Sequence, residues 1–181
     1  MKKFLYSFWE TIEVALIAII AVFVIRTFLI QTFLVSGASM EPNFSSGDYL
    51  LIDELTYHFK EPERGDVVVF HYPGNETTFY IKRIIGLPGE RLSFKDGKVM
   101  IFNADHPDGF YLGEVYLPQD LQTAGSEVVL REETYFVMGD NRSFSFDSRS
   151  WGPLLKSKIV GVVRLRLWPF NKVLAVERPT Y

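Results

Sequence analysis

The longest run without a polar residue lies near the N-terminus. Residues 14–25 read VALIAIIAVFVI, and three further apolar residues continue the run past Arg26. A helix that crosses the hydrocarbon core of a membrane needs about 20 mostly apolar residues. The segment 11–30 supplies that length with only Glu13 and Arg26 charged, both near its ends. The pattern predicts a transmembrane anchor over 11–30.

Basic residues near this segment indicate its orientation. Lys2 and Lys3 precede it, whereas no Lys or Arg follows Arg26 until Lys60. Because positive residues are retained on the cytoplasmic side, we expect residues 1–10 in the cytoplasm and the body of the chain outside. A cleavable secretory signal is the alternative, since it too has basic residues, an apolar core and small residues. The apolar run FLIQTFLV, which ends just before the small residues, favours the anchor.

From Ser36 onward, short apolar runs alternate with turn residues. Six such runs are rich in β-branched and aromatic residues, which favour strands. The Asp96-Gly97 pair between two apolar runs is typical of a hairpin turn. The body is therefore predicted to be mainly β. The six runs are 49–52, 67–70, 79–81, 99–102, 135–138 and 159–163.

A change of composition divides the body. The stretch 103–133 carries three glycines and two prolines among acidic residues, which predicts irregular structure. We expect a smaller lobe over 91–134, inserted into a main β domain formed by 36–90 and 135–181.

Composition excludes several kinds of site. The 181 residues include no cysteine, so disulfides, thiolate metal sites and cysteine nucleophiles are ruled out. The formal net charge is -3 without a basic patch, which argues against a nucleic-acid partner.

Ser39 lies among small residues just after the predicted anchor. A serine hydroxyl is a weak nucleophile unless a base takes its proton. The three histidines, His58, His71 and His106, lie in ordinary loop or strand-end settings, and we interpret them as structural or solvated.

Lys82 is a second candidate base, because it lies inside an apolar strand-like run. A lysine acts as a base only where burial lowers its pKa from about 10.4. Strand alternation places Tyr80, Lys82 and Ile84 on one face. An edge or surface lysine is the alternative interpretation.

The segment 139–149 reads GDNRSFSFDSR and follows a predicted strand. Its short polar side chains are typical of a loop held by side-chain to backbone hydrogen bonds. Asp147 and Arg149 are a candidate ion pair, and Ser145 is a candidate partner for a buried amine. A purely structural turn is the alternative.

Four segments in fixed order resemble the motifs of bacterial type I signal peptidases, and with the apolar segment the resemblance covers essentially the whole chain. It implies a transmembrane helix followed by a catalytic domain built as a β-barrel or sandwich, with 36–90 and 135–181 forming that domain. The segments are SMEP at 39–42, RGDVVVF at 64–70, YIKRIIGLPGE at 80–90 and GDNRSFSFDSRSWG at 139–152.

The resemblance implies a membrane-bound serine endopeptidase that removes signal peptides from exported preproteins after small residues. Ser39 matches the nucleophile and Lys82 the general base of a Ser-Lys dyad that forms an acyl-enzyme. Implied partners are preprotein signal peptides, membrane lipid and the export machinery, at the outer face of a bacterial cell membrane, with no metal or cofactor. The other implied site residues are Ser36, Ser145, Asp147 and Arg149 for oxyanion binding and support, and Met40, Tyr80 and Ile81 for substrate binding.

The sequence departs from the family pattern at two positions. Gly37, two residues before the nucleophile, has no hydroxyl to donate to an oxyanion, and Ser36 is one place off. Asn43 stands where threonine is common. The backbone N–H of Ser39 is one oxyanion donor, and the second stays open.

Three other interpretations were weighed against this one. A self-cleaving Ser-Lys peptidase of the repressor type would lack the apolar segment 14–25. A catalytically silent, membrane-tethered binding domain would lack Ser39 or Lys82. An adhesion signal at the Arg-Gly-Asp of 64–66 would be exposed, whereas in the resembling family this triplet opens a strand.

Overall fold

A computed structural model describes residues 9–21, 30–119 and 121–181 of the protein. Residues 9–21 are helical. No helix within the described ranges is both long enough and apolar enough to cross a membrane. The anchor predicted over 11–30 falls partly on residues 22–29, outside the described residues, and its last residue, Ile30, instead begins a β-strand.

The described chain after that helix is built from twelve strands, two short α-helices and two 3-10 turns, so the prediction of a mainly β body is confirmed. We label the helix at 9–21 α1, Thr56–Phe59 α2 and Ser148–Trp151 α3. The 3-10 turns are Lys156–Lys158 and Phe170–Lys172. The strands are β1 Ile30–Leu34, β2 Tyr49–Asp53, β3 Val67–Tyr72, β4 Asn75–Gly86, β5 Arg91–Lys95, β6 Lys98–Phe102, β7 Phe110–Tyr111, β8 Val128–Val129, β9 Thr134–Met138, β10 Leu154–Leu155, β11 Ile159–Trp168 and β12 Leu174–Ala175.

The larger sheet has the strand order β1-β2-β11-β3-β4-β9-β10, with β12 paired to β11. Its neighbouring strands are antiparallel. In the described part of the chain β1 and β10 do not pair, so the larger sheet is open. Of the expected barrel or sandwich, a closed barrel is therefore not formed. The edge strand β10 has only two residues, Leu154 and Leu155, which is too short a ladder to close the sheet.

The smaller sheet has the order β7-β6-β5-β8 and lies entirely within residues 91–134. The predicted hairpin between β5 and β6 is confirmed, because Lys95 pairs with Lys98. Both turn residues, Asp96 and Gly97, have the positive φ that such a two-residue turn requires. The stretch 103–133 was predicted to be irregular, yet it contributes β7 and β8, each two residues long. The domain limits at 91 and 134 stay a prediction.

Strand β4 joins the two sheets through its side-chain alternation. Ile84 packs in one core cluster with Val68 and Phe70, whereas Ile85 packs in another with Leu92 of the smaller sheet. A third cluster lies beneath the segment that follows β1. Because both faces are covered, β4 is buried continuously from residue 82 to residue 86. Lys82 therefore lies in the buried part of β4 and is not an exposed surface lysine.

Candidate active site

Ser39 lies in the loop between β1 and β2, half-buried beside the core. Met40 and Phe44 are almost fully buried in that core. The amide of Phe44 donates to the carbonyl of Met40 at 2.9 Å, and the amide of Val35 donates to Asp48 O at 2.9 Å. Burial of Met40 and Phe44 fixes the loop and leaves the Ser39 hydroxyl facing a pocket.

The side chain of Lys82 reaches Ser39 across the sheet. Its Nζ donates to Ser39 Oγ at 2.7 Å and to the carbonyl of Ile81 at 2.8 Å. Only 4% of Lys82 is exposed. Burial lowers its pKa from 10.5 to about 8, because an ammonium loses hydration there, while the carboxylates of Asp147 and Asp140 partly offset the effect. With this pKa, about one tenth of Lys82 is neutral at pH 7 and about half at pH 8.

Asp147 organises the 139–149 segment. Its carboxylate accepts hydrogen bonds from the amide of Gly139 at 3.0 Å and from Arg149 Nε at 2.8 Å, so the predicted ion pair with Arg149 is present. It also caps α3 by accepting from the amide of Arg149. Burial alone would raise the pKa of Asp147. The Arg149 guanidinium and the Gly139 N–H nevertheless hold this pKa below its ordinary value. Asp147 is therefore a buried anion near Lys82.

Ser145 and Ser36 occupy different settings beside Ser39. Ser145 Oγ is buried and has no hydrogen-bond partner among the described residues, so the implied bond to Lys82 is not formed in this structure. Ser36 is exposed and lines the same pocket as Gly37 and Ser39.

Arg83 and Asp140, whose pairing was not predicted from the sequence, fix the position of β4 relative to the 139–149 segment. Arg83 donates to Asp140 through Nε at 2.9 Å and Nη2 at 2.7 Å, and both side chains are buried. This pair joins β4, one residue after Lys82, to the start of the 139–149 segment. A charged residue within an apolar strand was the only signal in the sequence, and the partner could not be inferred from it.

Asn141 was also missed, although it contacts the nucleophile loop directly. Its backbone amide donates to the carbonyl of Ser39 at 3.0 Å, and its Nδ2 donates to the carbonyl of Ala38 at 3.1 Å. The position of the Ser39 backbone is therefore set by the 139–149 segment as well as by the core.

The pocket beside Ser39 has a volume of about 350 Å³. Of the predicted substrate-binding residues, Tyr80 and Ile81 line it together with Lys82. Met40 is not among its lining residues. Met40 is 1% exposed and packs into the core, because the loop turns its side chain inward. The pocket walls are otherwise largely apolar, and Phe144 and Phe146 are among the lining residues.

The alternative bases lie elsewhere. None of the three histidines lines the pocket. His58 Nδ1 lies 3.0 Å from the carbonyl of Glu54, and His71 Nδ1 lies 2.6 Å from that of Glu76. Within the described ranges no three His, Asp or Glu side chains cluster as metal ligands would.

The Arg-Gly-Asp triplet at 64–66 is folded into the structure. Asp66 is 8% exposed and accepts a hydrogen bond from the Tyr57 hydroxyl at 2.8 Å. Arg64 pairs with Glu90 at 2.5 Å. This burial argues against an adhesion signal.

Comparisons with known proteins bear on this site. The chain matches the sequence profile of the family described as "Signal peptidase, peptidase S26" over residues 8–168. Signal peptidase IB of Staphylococcus aureus is 32% identical over 184 residues, covering 95% of this chain and 94% of that protein. Signal peptidase I of Leptolyngbya laminosa is 36% identical over 149 residues, covering 77% of this chain and 69% of that protein.

A crystal structure of a signal peptidase I from Enterococcus faecalis V583 is 30% identical, covers 57% of this chain and 97% of that chain, and has a TM-score of 0.47. The profile and the relatives extend over most of the sequence, including the segments that carry Ser39 and Lys82. The chain belongs to the signal peptidase family, peptidase S26, and is a serine peptidase of the signal peptidase I type.

Proposed function

We propose that the protein removes signal peptides from exported preproteins with Ser39 as nucleophile and Lys82 as general base. The observation that carries this proposal is the 2.7 Å contact between Lys82 Nζ and Ser39 Oγ at the edge of an apolar pocket. The direction of that hydrogen bond depends on the charge of Lys82. Once the amine is neutral, its lone pair accepts the Ser39 proton across the same short distance.

In the proposed acylation step, Ser39 Oγ bonds to the scissile carbonyl carbon while Lys82 takes the hydroxyl proton. The developing oxyanion accepts a hydrogen bond from the backbone N–H of Ser39. As the peptide C–N bond breaks, protonated Lys82 returns the proton to the leaving amine. The products are an acyl-enzyme on Ser39 and the new N-terminus of the mature protein.

In the proposed deacylation step, Lys82 takes a proton from water, and the resulting hydroxide attacks the acyl-enzyme. The bond between Ser39 Oγ and the acyl carbon then breaks, protonated Lys82 returns the proton to Ser39 Oγ, and the signal peptide leaves with a free carboxylate at its new C-terminus. The same base thus serves both half-reactions, and its pKa of about 8 makes the neutral form accessible at each turn of the cycle.

The carboxylates near Lys82 set a balance in this mechanism. Burial lowers the lysine pKa, whereas Asp147 and Asp140 raise it. If the pKa of Lys82 were lower still, the amine would be a weaker base. If the pKa were closer to its ordinary value, Lys82 would stay protonated. We propose that the ion pair between Asp147 and Arg149 holds the 139–149 segment in place, and that this segment brings the Asp140 and Asp147 carboxylates near Lys82.

The pocket supports a preference for small side chains before the cut, at sites of the Ala-x-Ala type. Tyr80 and Ile81 lie immediately before Lys82 on β4 and line the pocket. Their bulk beside Ser39 limits the space for a substrate side chain next to the scissile bond.

The sequence before Ser39 supports a place at the outer face of the cell membrane. The apolar run at 14–25 ends a short distance before the nucleophile, and the basic residues precede the run. Trp168 and Phe170 are 46% and 77% exposed with their ring centroids 4.6 Å apart. Exposed aromatic pairs suit a membrane interface. We propose membrane lipid and the export machinery as partners at this location.

The experiment is cleavage of a purified preprotein by the full chain in lipid vesicles, followed by N-terminal sequencing of the product. We expect one cut directly after an Ala-x-Ala site. Replacing the alanine before the cut with tryptophan is expected to abolish cleavage, and Ser39→Ala protein serves as the inactive control. An uncut preprotein, or a cut that tolerates tryptophan there, would contradict the proposal.

A further inference from the structure

The connection between β7 and β8 holds a buried arginine of the 139–149 segment. Arg142 has a side chain that is 1% exposed, and its guanidinium pairs with the carboxylate of Glu114, which lies between β7 and β8. Nη2 donates to Glu114 Oε1, and Nη1 donates to Glu114 Oε2 at 3.0 Å. Such a two-point contact fixes the plane of the guanidinium as well as its position.

The remaining donors of Arg142 are also occupied. Nη1 donates to Thr123 Oγ1 at 2.8 Å, and Nε donates to the carbonyl of Gly139 at 3.1 Å. The guanidinium therefore connects residues 114 and 123 of the lobe with the first residue of the 139–149 segment. Removing Glu114 leaves a buried cation without its counter-charge.

The turn that Arg142 closes contacts the nucleophile. Asn141, its immediate neighbour, donates its amide to the carbonyl of Ser39 at 3.0 Å. Gly139 lies against the same carbonyl, since a Cβ built at Gly139 would stand 2.3 Å from Ser39 O. Glu114 is thus linked to the Ser39 backbone by Arg142 and the turn at 139–141.

Tyr116, two residues after Glu114, contacts the same junction, and its hydroxyl donates to Glu114 Oε1 at 2.8 Å. Its carbonyl accepts from Asn43 Nδ2 at 3.1 Å, and its ring lies 4.1 Å beneath the guanidinium of Arg83. Asn43 Nδ2 also donates to Asp140 at 2.8 Å. The segment from Glu114 to Tyr116 therefore contacts both sides of the site, the nucleophile loop and the 139–149 segment.

We propose that Glu114 is a positioning residue for the cleavage reaction: by holding Arg142 it fixes the 139–141 turn and, through it, the backbone of Ser39. The inference rests on the proposed role of Ser39 as nucleophile. If Glu114 has this role, the inserted lobe contributes to the reaction, because the Glu114 carboxylate then helps to position the Ser39 N–H and hydroxyl relative to Lys82.

The test compares Glu114→Gln with Glu127→Gln in steady-state cleavage of the same preprotein by the full-length protein. Glu127 is a matched control, because it lies in the same lobe and forms only an exposed pair with Arg91 at 3.3 Å. Glutamine at 114 keeps the size of the side chain but removes its charge and one of its two acceptors. Each variant is assayed at a temperature at which circular dichroism shows it to be folded.

For Glu114→Gln we expect kcat to fall by about 10-fold to 10²-fold with KM nearly unchanged, as for a misplaced reacting group. Glu127→Gln is expected to match the parent. An unchanged kcat in Glu114→Gln would overturn the inference while leaving the proposed function intact. A lower melting temperature with the kcat of the parent would overturn it too, since that is a purely structural effect.

Glu114→Asp decides the matter if the glutamine variant does not fold. Aspartate keeps the charge but is one methylene too short to reach both guanidinium nitrogens. We expect a several-fold loss in kcat, smaller than that of Glu114→Gln, and a kcat equal to that of the parent would overturn the inference. Failure of the parent to cleave would instead reject the proposed function on which the inference rests.

Discussion

Gly139 lies in contact with the carbonyl of Ser39, closer than any other residue type would allow. A Cβ at position 139 would stand 2.3 Å from Ser39 O and 2.2 Å from Ser145 Oγ. Real Cβ atoms do not approach other atoms so closely, and Ser39 O is backbone that cannot move alone. The missing side chain at 139 thus lets the 139–149 segment lie against the nucleophile.

Gly139→Ala is therefore expected to displace Ser39 and lower kcat/KM by about 10²-fold or more, since misplacement on the scale of 1 Å has that cost. The control is Gly113→Ala, because a Cβ there meets nothing within 4 Å. Steady-state kinetics on one preprotein, with circular dichroism of both variants, make the comparison. Equal activity of the two variants would show that the close approach at Gly139 is not needed.

The pH dependence of cleavage follows from the lowered pKa of Lys82. Protonated Lys82 cannot accept the Ser39 proton, so kcat/KM of the parent is expected to rise with pH, with a midpoint near 8, and then level off. A pH profile with a substrate that has no titrating group near the cut measures this midpoint. A midpoint near about 6.5 would instead indicate a histidine base, and one near about 10.4 an ordinary exposed lysine.

Lys82 is also expected to destabilise the fold that it serves. Its folded pKa lies below its unfolded pKa, so the unfolded state binds a proton more tightly. A fall from 10.5 to about 8 corresponds to about 3 kcal/mol at neutral pH. After the lost hydrogen bonds are subtracted, Lys82→Met should be inactive yet more stable than the parent by about 2 kcal/mol at pH 7.

The stability difference has a defined pH window. It is full below pH 8, where Lys82 is protonated in both states. It shrinks as pH rises from 8 toward 10.5, because there the unfolded state holds a proton that the folded state has released, so that rising pH disfavours the unfolded state. Urea unfolding at several pH values measures it, with Lys95→Met at an exposed position as the control. A Met variant less stable than the parent at pH 7 would contradict the burial cost assigned to Lys82.

Ser36→Ala tests the oxyanion donor. Ser36 is exposed and Gly37 has no hydroxyl, so we assign the Ser39 N–H as the hydrogen-bond donor to the oxyanion. The substitution is expected to change kcat by only a few-fold. A loss of about 10² or more, which is the scale for one oxyanion-hole donor, would show that the Ser36 hydroxyl binds the oxyanion during the reaction.

The strands were largely predictable because their pattern is local. All six apolar runs lie in strands, and the Asp96-Gly97 turn lies where its dipeptide predicts. Strand β1 was missed, since Ile30–Leu34 continues an apolar run that also suits a membrane helix. Its strand character comes from pairing with β2, which is nearly twenty residues further along the chain. A non-local partner of this kind leaves no local signal.

The residues of the site differ in the same way: some were predictable from local sequence, and others depend on contacts between distant parts of the chain. Ser39 and Lys82 were chosen from motifs and alternation, whereas the inward turn of Met40 depends on packing that the sequence does not display. The Arg83–Asp140 and Arg142–Glu114 pairs join residues 57 and 28 positions apart. Ion pairs across such separations exist only once the sheets have formed, so the residues that position the site were hidden.

The most direct measurement compares the initial rate of preprotein cleavage by the parent, Ser39→Ala and Lys82→Ala in lipid vesicles at pH 8. Folding of each protein is checked by circular dichroism. We expect the parent to cleave at the Ala-x-Ala site and neither folded variant to cleave at all. Cleavage that survives in Lys82→Ala would contradict the role of Lys82 as general base, because Ser39 would then have to be activated by another group.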